Sequence, residues 1–173
     1  TLNYKKLFKN ISKKVSLIIL ANPNSPTGTI IDRTIMLEIL KKIKKLKIPI
    51  VIDEAYAGFY KANYIKYINK FKNLIIIRTF SKSFGLAGLR AGYAVGSAQN
   101  IKLMNKFRPM YEINSISCLA IEFLLNNISL VKKNIEQVEK SKKFLIKELT
   151  KLNINYINTN ANFFHIELGK NVK

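Results

Sequence analysis

The chain has 173 residues, is 48% hydrophobic and carries a formal net charge of +20. That length supports one ordinary domain with a real core. A single cysteine, Cys118, excludes an internal disulfide framework and fits a reducing, cytoplasmic setting, and one histidine beside one cysteine argues against a zinc site. No apolar run is long enough to span a membrane, and no secretory signal opens the chain.

So high a positive charge ordinarily points to a polyanion partner. Here the lysines are spread along the chain and accompany heavy asparagine and isoleucine usage, which reads as a compositional bias. No nucleic-acid signature is present, and nucleic-acid binding is not expected. The densest cluster, Lys41, Lys42, Lys44, Lys45 and Lys47, reads as the solvated face of a helix.

In chain order, Thr1–Lys14 reads as a helix, and the β-branched run Val15–Leu20 as a buried strand ending in a turn rich in proline and asparagine. Asp32 caps a helix that runs to about Lys47, with Ile35, Met36, Ile39, Leu40 and Ile43 on its core face. Ile48–Ile52 is a second buried strand, ending in Asp53-Glu54. Leu74–Thr79 is a third, and Arg90–Val95 a short fourth. A helix beginning near Gln99 is broken by Pro109, and another spans Ser115–Asn126. Ile128, Val131, Ile135, Val138, Leu145, Leu149 and Leu152 mark a long amphipathic helix. Tyr156-Ile157 and Phe163–Leu168 read as strands, with Cys118 on an apolar helix face in the core and His165 as a structural histidine. The expected organisation is a large domain over residues 1–126, a connecting helix over 127–152 and the start of a second domain over 153–173.

This spacing predicts an α/β fold with a mostly parallel sheet. Ligands of open α/β sheets bind beyond the carboxyl ends of the strands. The segments Asn22–Gly28, Asp53–Tyr56 and Thr79–Lys82 each follow a strand, so all three are expected to converge on one crevice.

Each segment carries chemistry. Asn24 and Ser25, in the tight loop Asn22–Gly28, can donate to a ligand oxygen, although a plain turn explains the loop equally. Asp53 emerges from an apolar strand, where a carboxylate is costly unless paired. A protonated pyridine nitrogen would satisfy it, with Tyr56 reaching a phenolic oxygen on the same ring; a helix-capping aspartate is the plainer alternative. Glu54 reads as structural. Lys82 lies between Ser81 and Ser83, followed by Gly85, Gly88 and Arg90. An amine, hydroxyls and a guanidinium close together suit a phosphorylated aldehyde: the amine forms a Schiff base while Thr79, Ser81 and Arg90 hold the phosphate. Arg108, Tyr111 and Glu112 flank Pro109 and are weaker candidates for the crevice.

Asn22–Gly28, Asp53-Glu54-Ala55-Tyr56 and Thr79–Gly92, in this order, resemble the class I/II aminotransferases that use pyridoxal 5'-phosphate on the fold-type I scaffold. Within that group the chain is most similar to the histidinol-phosphate aminotransferase branch, and Asn160-Ala161-Asn162-Phe163 resembles the strand that opens the branch's small α+β domain. The resemblance implies that Lys82 holds the cofactor and shuttles the substrate proton. Asp53 would pair with the pyridine nitrogen, Tyr56 with the phenolic oxygen, and Thr79, Ser81 and Arg90 with the phosphate. It also implies a homodimer in the intact protein, with small-molecule amino donor and acceptor as partners. One departure stands out: the family places asparagine before Pro-Thr-Gly, and here Ser25 occupies that position after Asn24. The resemblance covers the middle and later part of a family member, so an incomplete site is expected from this stretch alone.

The leading expectation is amino transfer from a donor such as glutamate to a small, phosphorylated keto or aldehyde acceptor. One alternative is decarboxylation of a phosphorylated amino acid with the same cofactor. Another, of a different class, is an inactive or nucleic-acid-binding basic fragment.

Overall fold

Isoleucine-rich strands set the frame. In the computed structural model, which describes residues 3–110 and 112–169, they form a four-stranded sheet in the order β1 (Ile18–Ala21), β2 (Ile50–Asp53), β3 (Leu74–Thr79) and β4 (Gly92–Gly96). The first three strands run parallel, in a register that aligns Ala21 with Asp53 and Asp53 with Ile77; β4 is antiparallel to β3. The α/β, mostly parallel reading therefore matches the structure.

Helices α1 (Tyr4–Asn10) and α2 (Arg33–Leu46) contribute to the core on this sheet. Period-two alternation puts Ile50, Ile52, Leu74 and Ile76 on one face of the sheet, fully buried in one core with Met36, Ile39, Leu40 and Ile43 of α2. Each such side chain contributes about 1.5–3 kcal/mol on burial. Asp32 caps α2 as its sequence suggests: its carboxylate accepts from the Thr34 amide at 2.7 Å, and Lys47 closes the helix in the left-handed conformation. Ile35 is only half-buried. Of the lysine cluster, Lys41, Lys44, Lys45 and Lys47 are exposed, whereas Lys42 is half-buried and donates to the Phe8 carbonyl.

The C-terminal part holds α3 (Ala98–Asn105), α4 (Ser115–Asn126), α5 (Ile128–Lys151) and a two-stranded ribbon of β5 (Tyr156–Ile157) and β6 (His165–Ile166). At 24 residues, α5 is about 36 Å long. No single helix among the described residues is long and apolar enough to cross a membrane, and α4 and α5, which together would be, are bent 84° apart.

Several boundaries shift. Only Tyr4–Asn10 of the expected first helix is helical, and Thr1 and Leu2 lie outside the described residues. Val15 and Leu17 precede β1, because β2 offers partners only from Ile50 onward. Arg90 and Ala91 precede β4, Arg90 in a left-handed turn. The first helix after the sheet ends at Asn105, short of Pro109. Of Phe163–Leu168 only His165–Ile166 pair as a strand, and Asn160–Asn162 form a bend. Cys118 is exposed, not in the core; its neighbour Ser117 is buried, donating to the Leu89 carbonyl at 2.9 Å. On α5 only Val131 and Leu149 are fully buried, whereas Ile128, Leu145 and Leu152 are exposed.

Tyr64 gives a pH prediction. Its side chain is 1% exposed, and its hydroxyl has no hydrogen-bond partner among the described residues. Burial, followed by nearby Tyr60 and Glu54, pushes the phenol up to about 12. The unfolded phenol ionises near 10, so the protein keeps this contribution in full below about pH 10 and loses it as pH rises through about 12. Tyr64→Phe is expected to flatten that alkaline decline without lowering stability near neutrality, since no hydrogen bond is lost. Urea melts of both proteins at about pH 8 and about pH 11 check this.

Candidate active site

The register brings the three chemistry-bearing segments to one edge. Asn22 N–H donates to the Asp53 carbonyl at 2.8 Å and Glu54 N–H to the Ile77 carbonyl at 2.9 Å, so the segments leave the sheet side by side. Asp53 turns back on itself: Oδ1 accepts from the Ala55 amide at 2.9 Å, leaving Oδ2 without a partner among the described residues. Tyr56 is 7% exposed, and the Lys82 ammonium lies 5.3 Å from its ring centroid. Lys82 is exposed and, among the described residues, enters no ion pair. The Lys82 side chain over the Tyr56 ring, on the sheet edge that also carries the half-satisfied Asp53 carboxylate, is the chemical centre of the arrangement.

The Lys82 loop is built by its own backbone. Phe80 N–H donates to the Ala91 carbonyl, Leu86 N–H to Phe80 and Gly85 N–H to Lys82, at 3.0–3.1 Å. This fold-back lays Ala91 against Phe80 and Gly92 against Thr79, with Arg90 the residue just before them. Arg90 is exposed and its guanidinium donates to the Ala87 carbonyl at 3.1 Å. Thr79 Oγ1 accepts from Ser81 N–H at 3.0 Å and donates to the Ala91 carbonyl at 3.3 Å, so a phosphate contact requires its proton to turn away from Ala91.

Around Asn22–Gly28 the side chains bond mostly within the loop, with cis peptides before Pro23 and Pro26. Asn22 is 1% exposed; its Oδ1 accepts from Ile31 N–H at 2.8 Å, and its Nδ2 has no partner among the described residues. Asn24 Nδ2 donates to Thr27 Oγ1 at 2.7 Å, so its amide is already engaged. Ser25 is exposed. Neither Asn24, Ser25 nor Arg90 hydrogen-bonds the Lys82, Asp53 or Tyr56 side chains. Arg108 pairs with Glu112 at 2.8 Å, and Tyr111 lies outside the described residues.

Glu54 is structural, as its sequence position suggests. It is 2% exposed, accepts from Arg78 Nε at 2.8 Å and Nη2 at 2.5 Å, and takes the Tyr64 amide at 3.0 Å. Burial alone would lower the Arg78 guanidinium, but the hydrogen bonds and charge of Glu54 outweigh it and raise it above its ordinary value.

Contacts that no motif announces hold this edge together. A Cβ on Gly58 would lie 2.3 Å from Ser83 Cβ, so the Tyr56 loop packs directly on the Lys82 loop. Asn134 of α5 donates to the Ser83 carbonyl at 3.2 Å. Gly28, at φ 63°, packs so closely on Thr159 that a Cβ there would lie 2.1 Å from Thr159 Cβ. Phe163 meets Tyr56 edge-on at 5.5 Å, and His165 Nε2 bonds the Pro26 carbonyl at 2.7 Å. Lys142 of α5 donates to the Thr159 and Ala161 carbonyls, and burial pushes its ammonium below the ordinary lysine value against the partial support of Glu139.

A parallel sheet with these groups at its carboxyl edge and an antiparallel strand beside the lysine strand defines the fold-type I scaffold of pyridoxal-phosphate-dependent aminotransferases. The chain belongs to the aminotransferase class I and II family, whose model matches residues 1–173. It is 39% identical over 176 residues to the histidinol-phosphate aminotransferase of Buchnera aphidicola subsp. Cinara cedri, covering 97% of this chain and 50% of that protein. The crystal structure of the histidinol-phosphate aminotransferase from Clostridium acetobutylicum superposes with a TM-score of 0.85 at 26% identity, over 95% of this chain and 51% of that one. The histidinol-phosphate aminotransferase from Sinorhizobium meliloti, in complex with pyridoxal-5'-phosphate, shares the fold at a TM-score of 0.86 and 23% identity, over 97% of this chain and 46% of that one. The chain spans about half the length of the curated relatives it matches, or less.

Proposed function

We propose that this chain supplies part of the pyridoxal phosphate site of an aminotransferase like the histidinol-phosphate enzymes. That enzyme would move an amino group from a donor such as glutamate to a small phosphorylated keto or aldehyde acceptor. The observation that carries this reading is the unpaired Lys82 amine, 5.3 Å over the Tyr56 ring, on an edge shared with Asp53. The donor set fits the cofactor: an amine for an aldehyde, a carboxylate for a pyridinium, a phenol for a phenolate, and hydroxyls with a guanidinium for a phosphate.

When bound, pyridoxal phosphate supplies an electron sink for negative charge at the α-carbon of an amino substrate. Lys82 Nζ is the residue that would hold the cofactor's aldehyde, and the same amine, when free, would take a proton from the substrate carbon and return one. Asp53 would hold the pyridine nitrogen and keep it protonated, with its Oδ1 fixed by the Ala55 amide. Tyr56 would hold the phenolic oxygen. Arg90, Ser81 and Thr79 would hold the phosphate. The reading includes a homodimer, as the family resemblance implies, in the reducing, cytoplasmic setting that the lone cysteine fits.

Ser25 departs from the family's asparagine, and the neighbouring Asn24 spends one of its two amide donors on Thr27. Ser25→Asn is therefore expected to add a donor and tighten pyridoxal phosphate binding by about three- to tenfold, or about 1 kcal/mol. Equilibrium titration of both proteins checks it.

The function is tested by supplying the full-length protein with glutamate and imidazole acetol phosphate. The reading predicts one 2-oxoglutarate formed per acceptor consumed. Release of carbon dioxide from a phosphorylated amino acid, without amino transfer, would favour decarboxylation instead.

A further inference from the structure

Lys142 stands two turns before the buried Leu149 on α5, half-buried and far in sequence from every motif of the site. Its ammonium donates to the Thr159 carbonyl and, at 3.0 Å, to the Ala161 carbonyl. Both acceptors belong to one tight turn in which they are buried, Thr159 at 5% and Ala161 at 0% exposure, while Asn160 between them is exposed. The turn is closed internally, since Thr159 Oγ1 donates to the Phe163 carbonyl. Desolvating an ammonium is costly, and two charge-assisted bonds to carbonyls that would otherwise be buried without donors offset that cost.

The turn rests on both motif segments. Asn160 N–H donates to the Gly28 carbonyl at 3.0 Å, and Thr159 occupies the space that a side chain on Gly28 would fill. Four residues past Thr159, Phe163 sets its ring against Tyr56, whose other neighbour is the Lys82 ammonium. Lys142 is thus joined through one turn to the Asn24–Gly28 loop and to the aromatic ring beside the reactive amine.

We propose that Lys142 is a positioning residue for the cofactor site: it fastens residues 159–163 onto Gly28 and Tyr56, and so fixes the Tyr56 ring against Lys82. This rests on the pyridoxal phosphate reading above. Lys142 touches neither substrate nor cofactor and acts through Thr159, Ala161 and Phe163.

The test uses the full-length protein with Lys142→Met, which keeps the apolar stem and removes the donors, and Lys142→Arg, which restores them. Two quantities are read: hydrogen exchange at the Asn160 amide, and the dissociation constant for pyridoxal phosphate. Lys142→Met is expected to speed exchange at Asn160 by about tenfold or more and to weaken cofactor binding by about five- to tenfold, with Lys142→Arg recovering most of both. A third variant, Phe163→Leu, keeps the clasp but removes the aromatic edge; it is expected to weaken cofactor binding while Asn160 exchange stays slow. Unchanged exchange in Lys142→Met overturns the clasp. Faster exchange with unchanged cofactor affinity overturns the positioning role, as does unchanged affinity in Phe163→Leu, which also decides the matter should Lys142→Met fail to fold. A parent protein that binds no pyridoxal phosphate would instead overturn the functional reading, and the exchange measurement would still decide whether Lys142 orders the turn.

Discussion

Replacing Lys82 with alanine is expected to lower kcat for amino transfer by about 10⁴-fold or more while leaving the protein folded. The amine is exposed, enters no ion pair and makes no side-chain hydrogen bond among the described residues, so its removal takes little from the native state. A surface change of this kind costs within about 0.5 kcal/mol. Lys82→Arg separates charge from chemistry. It keeps a cation over Tyr56 but offers no amine to an aldehyde, and it is expected to be as inactive as the alanine variant. Steady-state rates with glutamate, beside a thermal melt of each variant, check both. A basic fragment acting on nucleic acid would behave in the opposite way: polyanion affinity would be indifferent to Lys82, and there would be no amino transfer to lose.

The second large effect lies behind the site. Glu54→Ala is expected to destabilise the protein by about 3–5 kcal/mol, out of a total that for most domains is only about 5–15 kcal/mol. The carboxylate satisfies three donors at once, two on Arg78 and the Tyr64 amide. Truncation leaves a largely buried guanidinium and a buried N–H without their acceptor, and it does so at the residue that follows Asp53. Glu54→Gln keeps an acceptor in place and is expected to lose less, about 1–3 kcal/mol. Urea melts rank the two. Both variants are also expected to weaken pyridoxal phosphate binding, because β3 and the Asp53 segment are joined through this pair.

Much of the fold was legible because its strands are short, apolar and punctuated. Leu74–Thr79 and Ser115–Asn126 coincide with their expected bounds, and the Asp32 cap is where its side-chain chemistry places it. The convergence of Asn22, Asp53 and the Lys82 loop was legible too, since parallel strands of matched length must end together. What escaped has physical reasons. Strand ends depend on the partner strand, so Val15 and Leu17 fall outside β1 although apolar, and Arg90 falls outside β4 in a left-handed turn. The apolar face carrying Cys118 is not core: Cys118 is exposed, and its neighbours Ile116, Leu119 and Phe123 on α4 are 57–69% exposed. Apolar spacing shows that a face seeks cover, not that the cover belongs to this stretch of chain. The contacts of Asn134, Lys142 and Thr159 left no mark in the sequence at all, because a side chain bonding a distant carbonyl has no characteristic spacing.

The central claim is that Lys82 holds pyridoxal phosphate and exchanges it for an amino donor. The most direct measurement is the absorbance spectrum of the full-length protein titrated with pyridoxal phosphate and then with glutamate. The account predicts a visible band of lysine-bound cofactor, absent in Lys82→Ala, that glutamate replaces with the absorbance of pyridoxamine phosphate. A folded protein that shows no such band would contradict it.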